Sequence, residues 1–400
     1  MIPSAVLDDI RVLDISQGIA GPLCARLLGD FGADVIKVEP LGGDCGRRMP
    51  PFFHDDPDPE KSLFFLLTNL NKRGTTLNLE TPQGAEIFKK LVRLADVVVE
   101  TFPPGYLASR GLDHASLERE NPGLVMTSIT PFGQTGPYSH YQGEEIVAYA
   151  MGGIMNISGT TDNEPLKHGG FQAQYEAGFN GTLATLFTLL LRDVTGEGQH
   201  IDVSTQEVVN STMIISQPLY SWAGAISGRR RPAGSHYGSN MMPCKDGYFV
   251  GQIGGGASWN DIADFFAREE LKEERFADVD QRATNVHALG EILIDAAKDR
   301  TMAEMFRTAS EKYRMLFGIA QTPADLAACP QLEARGFYQE VDHPVVGKIK
   351  VPFRLWNMSE SPAQYRLPAP LLGQHNAEVY SELLGYTQNE VARLRELGVI

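Results

Sequence analysis

Four groups of residues in this 400-residue chain could do chemistry, and they differ in kind. The run GGFQAQYEAG sets Gln174 and Glu176 just ahead of the apolar TLATLFTLLL, so both fall on the first turns of one helix. The run QGEE supplies the adjacent carboxylates Glu144 and Glu145; these or Glu176 could serve as a general base. Glutamine is different: Gln174 keeps the size and hydrogen-bonding capacity of an acid but has no charge and a very weakly nucleophilic oxygen. Covalent catalysis from position 174 should therefore fail. Glu176 should not stand in for it, because two residues along a helix turn a side chain by about 200°; it reads instead as an acid favoured by the helix dipole. The loop GQIGGGASW contributes Gly254, Gly255 and Gly256, whose backbone can move and approach a ligand closely, or simply turn a hairpin into a helix.

The remaining group is cationic. Lys37 ends ADVIKVE, Lys72 and Arg73 follow the strand-like FFLLTNLN, and Arg110 follows VETFPPG. Each alone reads as a solvated surface charge. Together, at the mouth of one sheet, they are better explained by a phosphate-bearing ligand.

The elements that must position these residues alternate. RVLDIS, ADVIKVE, ADVVVE and GLVMTSIT are short apolar strands separated by helices from about Pro22 to Phe31, near Gly84 to Leu94, and near Leu117. Such alternation implies parallel pairing with both faces covered, a doubly wound α/β sheet. Gly21 and Pro22 open the first helix, whose N-terminus favours anions. The apolar TLATLFTLLL reads as a buried central helix. Residues 1–220 are expected to form the N-terminal part of a large domain and 221–240, rich in glycine and arginine, a linker. A smaller α+β domain should span 241–325, opening with a hairpin turned by Asp246 and Gly247. Residues 326–400 carry a second hairpin near Gly347 and two terminal helices.

Composition narrows the function classes. With 42% hydrophobic and 21% charged residues the chain is an ordinary globular protein, and its length favours two folding units. A formal charge of −15 argues against nucleic acid and anionic membrane as partners. Four scattered cysteines fit neither a zinc pattern nor a disulfide framework, and no metal is expected. Without a secretory leader or a membrane-length apolar run, the expected compartment is the cytoplasm.

Several stretches together resemble the class III coenzyme A transferases, the group that includes formyl-CoA transferase, carnitine CoA-transferase and α-methylacyl-CoA racemase. They are AGPLCARLLGDFGADVIKVEPLGGD, NLNKRGTTLNLETPQG, LADVVVETFPPGYLASRGL, NPGLVMTSITPFGQTGPY, LLLRDVTGEGQHIDVS and LLGQHNAEVYSELLGY, in family order from near residue 10 to residue 386. The resemblance implies a Rossmann-like large domain completed by the C-terminal segment, a small domain, and two subunits interlinked as a dimer. It implies coenzyme A or acyl-CoA as substrate, with no permanently bound cofactor. By the same resemblance Ile19, Lys37, Lys72, Arg73, Thr101, Phe102, Arg110 and Gly254–Gly256 are assigned to the coenzyme, although Ser109 stands where arginine is common and Thr101 where asparagine is.

In active members of the family an aspartate attacks the thioester, and the aspartate of the D-x-x-x-G pattern falls here on Gln174. Glu144 and Glu145 occupy the places of the racemase histidine and its neighbouring acid, which makes racemisation an unsuitable reading. The resemblance thus points to a subunit without its own nucleophile, moving CoA from an acyl-CoA such as succinyl-CoA to an organic acid. A homologous chain bearing the aspartate would be its partner, as in the two-chain benzylsuccinate CoA-transferase, unless the chain pairs with itself. Three alternatives remain: an acyl-CoA lyase or isomerase using Glu144, Glu145 or Glu176 as base; a nicotinamide oxidoreductase, disfavoured because SQGIAGP lacks the GxGxxG spacing; and a scaffold without ligand.

Overall fold

A computed structural model describes residues 5–229, 241–252 and 257–400. The chain divides into two units, one formed by Met1–Asn156, Leu166–Ser227 and Glu333–Ile400, the other by Ile157–Pro165 and Gly228–Leu332.

The larger unit is built on six parallel strands: β1 (Arg11–Asp14), β2 (Asp34–Glu39), β3 (Lys72–Thr76), β4 (Val97–Glu100), β5 (Val125–Thr130) and β6 (His200–Ser204). Their order, β3-β2-β1-β4-β5-β6, is that of the doubly wound Rossmann-like sheet. Both faces are covered. On β1 and β4, Leu13 and Val98 point to one side, where helix α2 (Pro82–Val92) and the C-terminal residues Val379 and Leu394 pack. Val12, Val97 and Val99 point to the other, against helix α1 (Ala20–Asp30) and the long helix that begins at Gln172. Period-two alternation with both sides apolar explains why these strands read as continuous apolar runs.

Two expectations need correction. FFLLT is not a strand: Leu63–Thr68 is a helix, with Ser62 accepting a hydrogen bond from the Phe65 amide. The strand is the polar KRGTT that follows, paired in parallel with β2 from Val35↔Lys72 to Glu39↔Thr76. It closes the sheet with the chain's own tail: the His375 amide donates to the Gly74 carbonyl, and Asn376 receives hydrogen bonds from the Thr75 hydroxyl and the Thr76 amide. The second correction concerns TLATLFTLLL. Helix α3 (Glu145–Met151) is followed by α4 (Gln172–Thr195), which buries Ala177, Gly178 and Leu189 but leaves Phe187, Leu190 and Val194 well over half exposed. One face meets the sheet and α1; the other carries these exposed side chains, uncovered by any of the described residues.

The smaller unit has the antiparallel order β7 (Met242–Cys244), β8 (Gly247–Gln252) and β9 (Leu316–Ile319), with the turn at Asp246 and Gly247. Phe249, Phe265, Phe266, Leu293 and Met305 form its core. The hairpin β10 (Tyr338–His343) and β11 (Gly347–Pro352) belongs to the larger unit. Among the described residues no helix is long and apolar enough to cross a membrane.

Candidate active site

Where β1 and β4 lie side by side, the chain leaves their carboxyl ends on opposite faces of the sheet, and a crevice opens between the loops. It forms a cleft of about 650 Å3. The loop after β1 supplies Gln17, Gly18 and Ile19, and that after β4 supplies Thr101 and Phe102. Thr130 ends β5, and Thr205 directly follows β6. The two central loops are tied directly, the Gln17 amide donating to the Thr101 hydroxyl at 2.8 Å. Gly18 takes a left-handed φ of +80°, which turns its amide onto Asp44 Oδ1 at 2.8 Å.

Helix α4 presents Gln174 to this cleft from its first turn. Its N-cap residue, Phe171, provides no side-chain cap. The orphan amides of Ala173 and Gln174 instead donate to the two oxygens of Glu145, each at 3.1 Å. Glu145 is buried, and Lys167 Nζ lies 3.6 Å away. A carboxylate engaged in this way holds the backbone of residue 174 and is poorly placed to take a proton from a substrate. Glu144 is exposed and lines the same cleft, whereas Glu176 is half-buried and not among the lining residues. Burial, and then the charge of Glu145, raises the Glu176 pKa.

The residues assigned to the coenzyme separate into three sets. Ile19, Thr101 and Phe102 line the cleft beside Gln174. Gly254, Gly255 and Gly256 lie outside the described residues. The cations do not line it. Lys37 and Lys72 have no exposed surface, which corrects the expectation that they meet the nucleotide directly. Lys37 pairs with Asp44 at 2.8 Å, Lys72 pairs with Asp14 at 2.7 Å, and each charge compensates another in the interior. Burial pulls the Lys72 ammonium down to about 8, against the attraction of Asp14. For Lys37 burial acts in the same direction, but Asp14, Asp44 and Glu39 outweigh it and its pKa is raised. Arg73 is corrected as well, because it bonds Asp34 at the amino end of β2, together with Glu378. The cleft opens at the carboxyl ends.

Arg110 stands elsewhere. A small hollow adjoins the cleft, shares Gln17 and Phe102 with it, and is walled by Leu77, Leu79, Glu80 and Tyr106. Tyr106 stacks on Phe102 with centroids 4.4 Å apart and an 11° tilt, and the Arg110 guanidinium lies 3.7 Å over the Tyr106 ring.

Residue-level reading missed Gln17, the buried Asp14 and Asp44, and Glu100. Gln17 could have been found, because it follows a strand end in a doubly wound sheet. Glu100 ends β4, is 3% exposed, and accepts from the Phe102 amide at 2.5 Å. Burial pushes its carboxyl up to about 7, against the Ser128 hydroxyl and the Phe102 amide. Ser128 in turn shares a 2.8 Å hydrogen bond with His200.

Known proteins share this architecture throughout. The family described as CoA-transferase family III matches residues 7–376. The succinate–glutarate CoA-transferase of Agrobacterium fabrum is 33% identical over 387 residues, covering 94% of this chain and 95% of that one. The succinyl-CoA:(R)-benzylsuccinate CoA-transferase subunit BbsE of Thauera aromatica is 31% identical over 407 residues, covering 98% and 97%. Among solved structures, a CaiB/BaiF family protein from Brucella suis matches with a TM-score of 0.86 at 33% identity, over 95% of this chain and 99% of that one. With the strand order, the cleft at the β1–β4 switch and a match over nearly its whole length, this chain belongs to CoA-transferase family III.

Proposed function

We propose that the chain is a subunit of a CoA-transferase that moves CoA from an acyl-CoA, succinyl-CoA above all, to an organic carboxylic acid, and that a homologous partner supplies the nucleophilic aspartate. The reading rests on the identity of one cleft residue: Gln174, held on the first turn of α4 by Glu145. In the family reaction a carboxylate attacks the thioester carbonyl, giving a mixed anhydride and CoA thiolate. The thiolate then attacks the carboxylate's own carbonyl, releasing the donor acid and leaving CoA on the enzyme; the acceptor acid reverses both steps. A neutral amide oxygen at position 174 cannot begin that sequence. The naming of two relatives' substrates as succinyl-CoA or succinate, and of BbsE as a subunit, supports both donor and partnership.

The thioester would lie in the cleft near Gln174, with the rest of the coenzyme running past Gln17 and Phe102 toward the adjoining hollow. Partnership also accounts for the apolar outer face of α4, which an interlocked second subunit would cover.

The test is mass spectrometry of the chain after incubation with succinyl-CoA and trapping with hydroxylamine or borohydride. The chain should carry no acyl or CoA adduct, while the Gln174→Asp variant should gain one. A wild-type adduct would overturn the reading. A second reading, an acyl-CoA lyase or isomerase, draws support from the exposed Glu144 in the cleft. Consumption of a single acyl-CoA without acceptor acid, abolished by Glu144→Gln, would favour it.

A further inference from the structure

At the rim of the hollow beside the cleft, Glu80, which lines it, pairs with Arg110, which does not, and the two halves of this ion pair are anchored unequally. Arg110 is fixed by its surroundings: its guanidinium covers the Tyr106 ring, and Nη1 donates to the Tyr106 carbonyl at 2.8 Å and to Ser109 Oγ at 2.9 Å. Its Nε is enclosed, with no hydrogen-bond partner among the described residues. Glu80, in contrast, stands on the connection between β3 and α2 with its side chain 58% exposed. It accepts from the Tyr106 hydroxyl at 2.5 Å and pairs with Arg110 Nη2. The cation is built in, and the carboxylate is held by two contacts at the surface.

Position decides what could replace that carboxylate. Gln17 and Phe102 join this hollow to the cleft containing Gln174. A ligand with its thioester at Gln174 that runs on past Gln17 and Phe102 would meet the Arg110–Tyr106–Phe102 stack. In coenzyme A the end remote from the thioester carries adenine, a flat ring suited to an aromatic stack, and the ribose 3′-phosphate. A guanidinium matches phosphate in a two-point fork, and hydrogen bonds between ionised partners are the stronger kind. An exposed carboxylate–arginine pair is weak, roughly 0.2–1 kcal/mol.

We propose that Glu80 is an exchangeable stand-in for a ligand phosphate: it occupies Arg110 in the free subunit and is displaced by the 3′-phosphate of coenzyme A. Arg110 and Glu80 together then set the preference for CoA over 3′-dephospho-CoA. This deepens the reading that the chain binds CoA and rests on it.

Calorimetric titration of the full chain with CoA and with 3′-dephospho-CoA tests it. Glu80→Gln should tighten CoA by roughly two- to fivefold, the release of one exposed pair, and leave 3′-dephospho-CoA unchanged. Tyr106→Phe, which removes one of the two contacts on Glu80 and keeps the ring stack, should move CoA the same way by less. Arg110→Ala should weaken CoA and abolish discrimination between the two ligands. Thermal melting checks that each variant is folded. If Glu80→Gln shifts both ligands equally or neither, or if Arg110→Ala weakens both alike, the stand-in role is wrong while CoA binding survives. If the wild-type chain binds neither ligand, the CoA reading itself falls.

Discussion

Behind the cleft, Glu100 holds the amide of the lining residue Phe102 from the end of β4, and burial pushes its carboxyl up to about 7. Because the folded state binds this proton more tightly than the unfolded chain, the group stabilises the fold most at low pH. That contribution is lost as pH rises from the ordinary glutamate value, about 4.3, to about 7, on the order of 3 kcal/mol at most. Asp30, raised to about 6 by burial, contributes in the same window, so a difference measurement is needed. Glu100→Gln keeps an acceptor for the Phe102 amide and removes the charge. Urea unfolding at pH 5 and pH 8 should show the variant gaining stability relative to wild type at the higher pH; an equal offset at both would show that Glu100 titrates normally.

At the scale of elements, α4 can present residue 174 to the cleft because it crosses α1 closely at Gly178. A Cβ there would lie 2.8 Å from the Ala20 carbonyl oxygen and 3.3 Å from Leu23 Cβ. A backbone oxygen cannot swing aside, so the helices would have to part. Alanine in place of glycine within a helix gains about 1 kcal/mol of propensity, but overpacking costs roughly 1–3 kcal/mol. Gly178→Ala should therefore lower the denaturation midpoint, and it should weaken CoA binding by shifting the first turn of α4. A midpoint equal to or above wild type would show that the crossing is not tight. The Glu145 cap belongs to this scale too: a carboxylate from α3 satisfies amides of α4, a contact between residues 28 and 29 positions apart.

For the whole molecule, the unpartnered surface is the dominant feature. Leu190 is 65% exposed and Trp222 87%, and an apolar hollow of about 400 Å3 opens between Phe31, Phe179, Leu183 and Trp356. Apolar surface on this scale marks an interaction face. Sedimentation of the purified chain should give a mass above 43.9 kDa, as a pair with itself or with a homologous subunit. Leu190→Glu combined with Trp222→Glu should shift it toward a single chain. A monodisperse wild-type monomer would remove the partner from the proposed function.

The sequence by itself determined the doubly wound sheet, because strands covered on both faces must be apolar along their whole length, as Val97, Val98 and Val99 are. It also determined that position 174 carries no charge, which is a property of the side chain and needs no fold. Tertiary structure alone decided what the cations do. Lys72 and Asp14 are 58 residues apart, and nothing local to either shows that a lysine at a strand start neutralises a buried aspartate instead of a ligand. The same holds for FFLLT and KRGTT, where short-range propensity favours the apolar run as strand. The strand went to the segment that β2 and the returning tail could pair with, because hydrogen bonds to distant partners outweigh local preference.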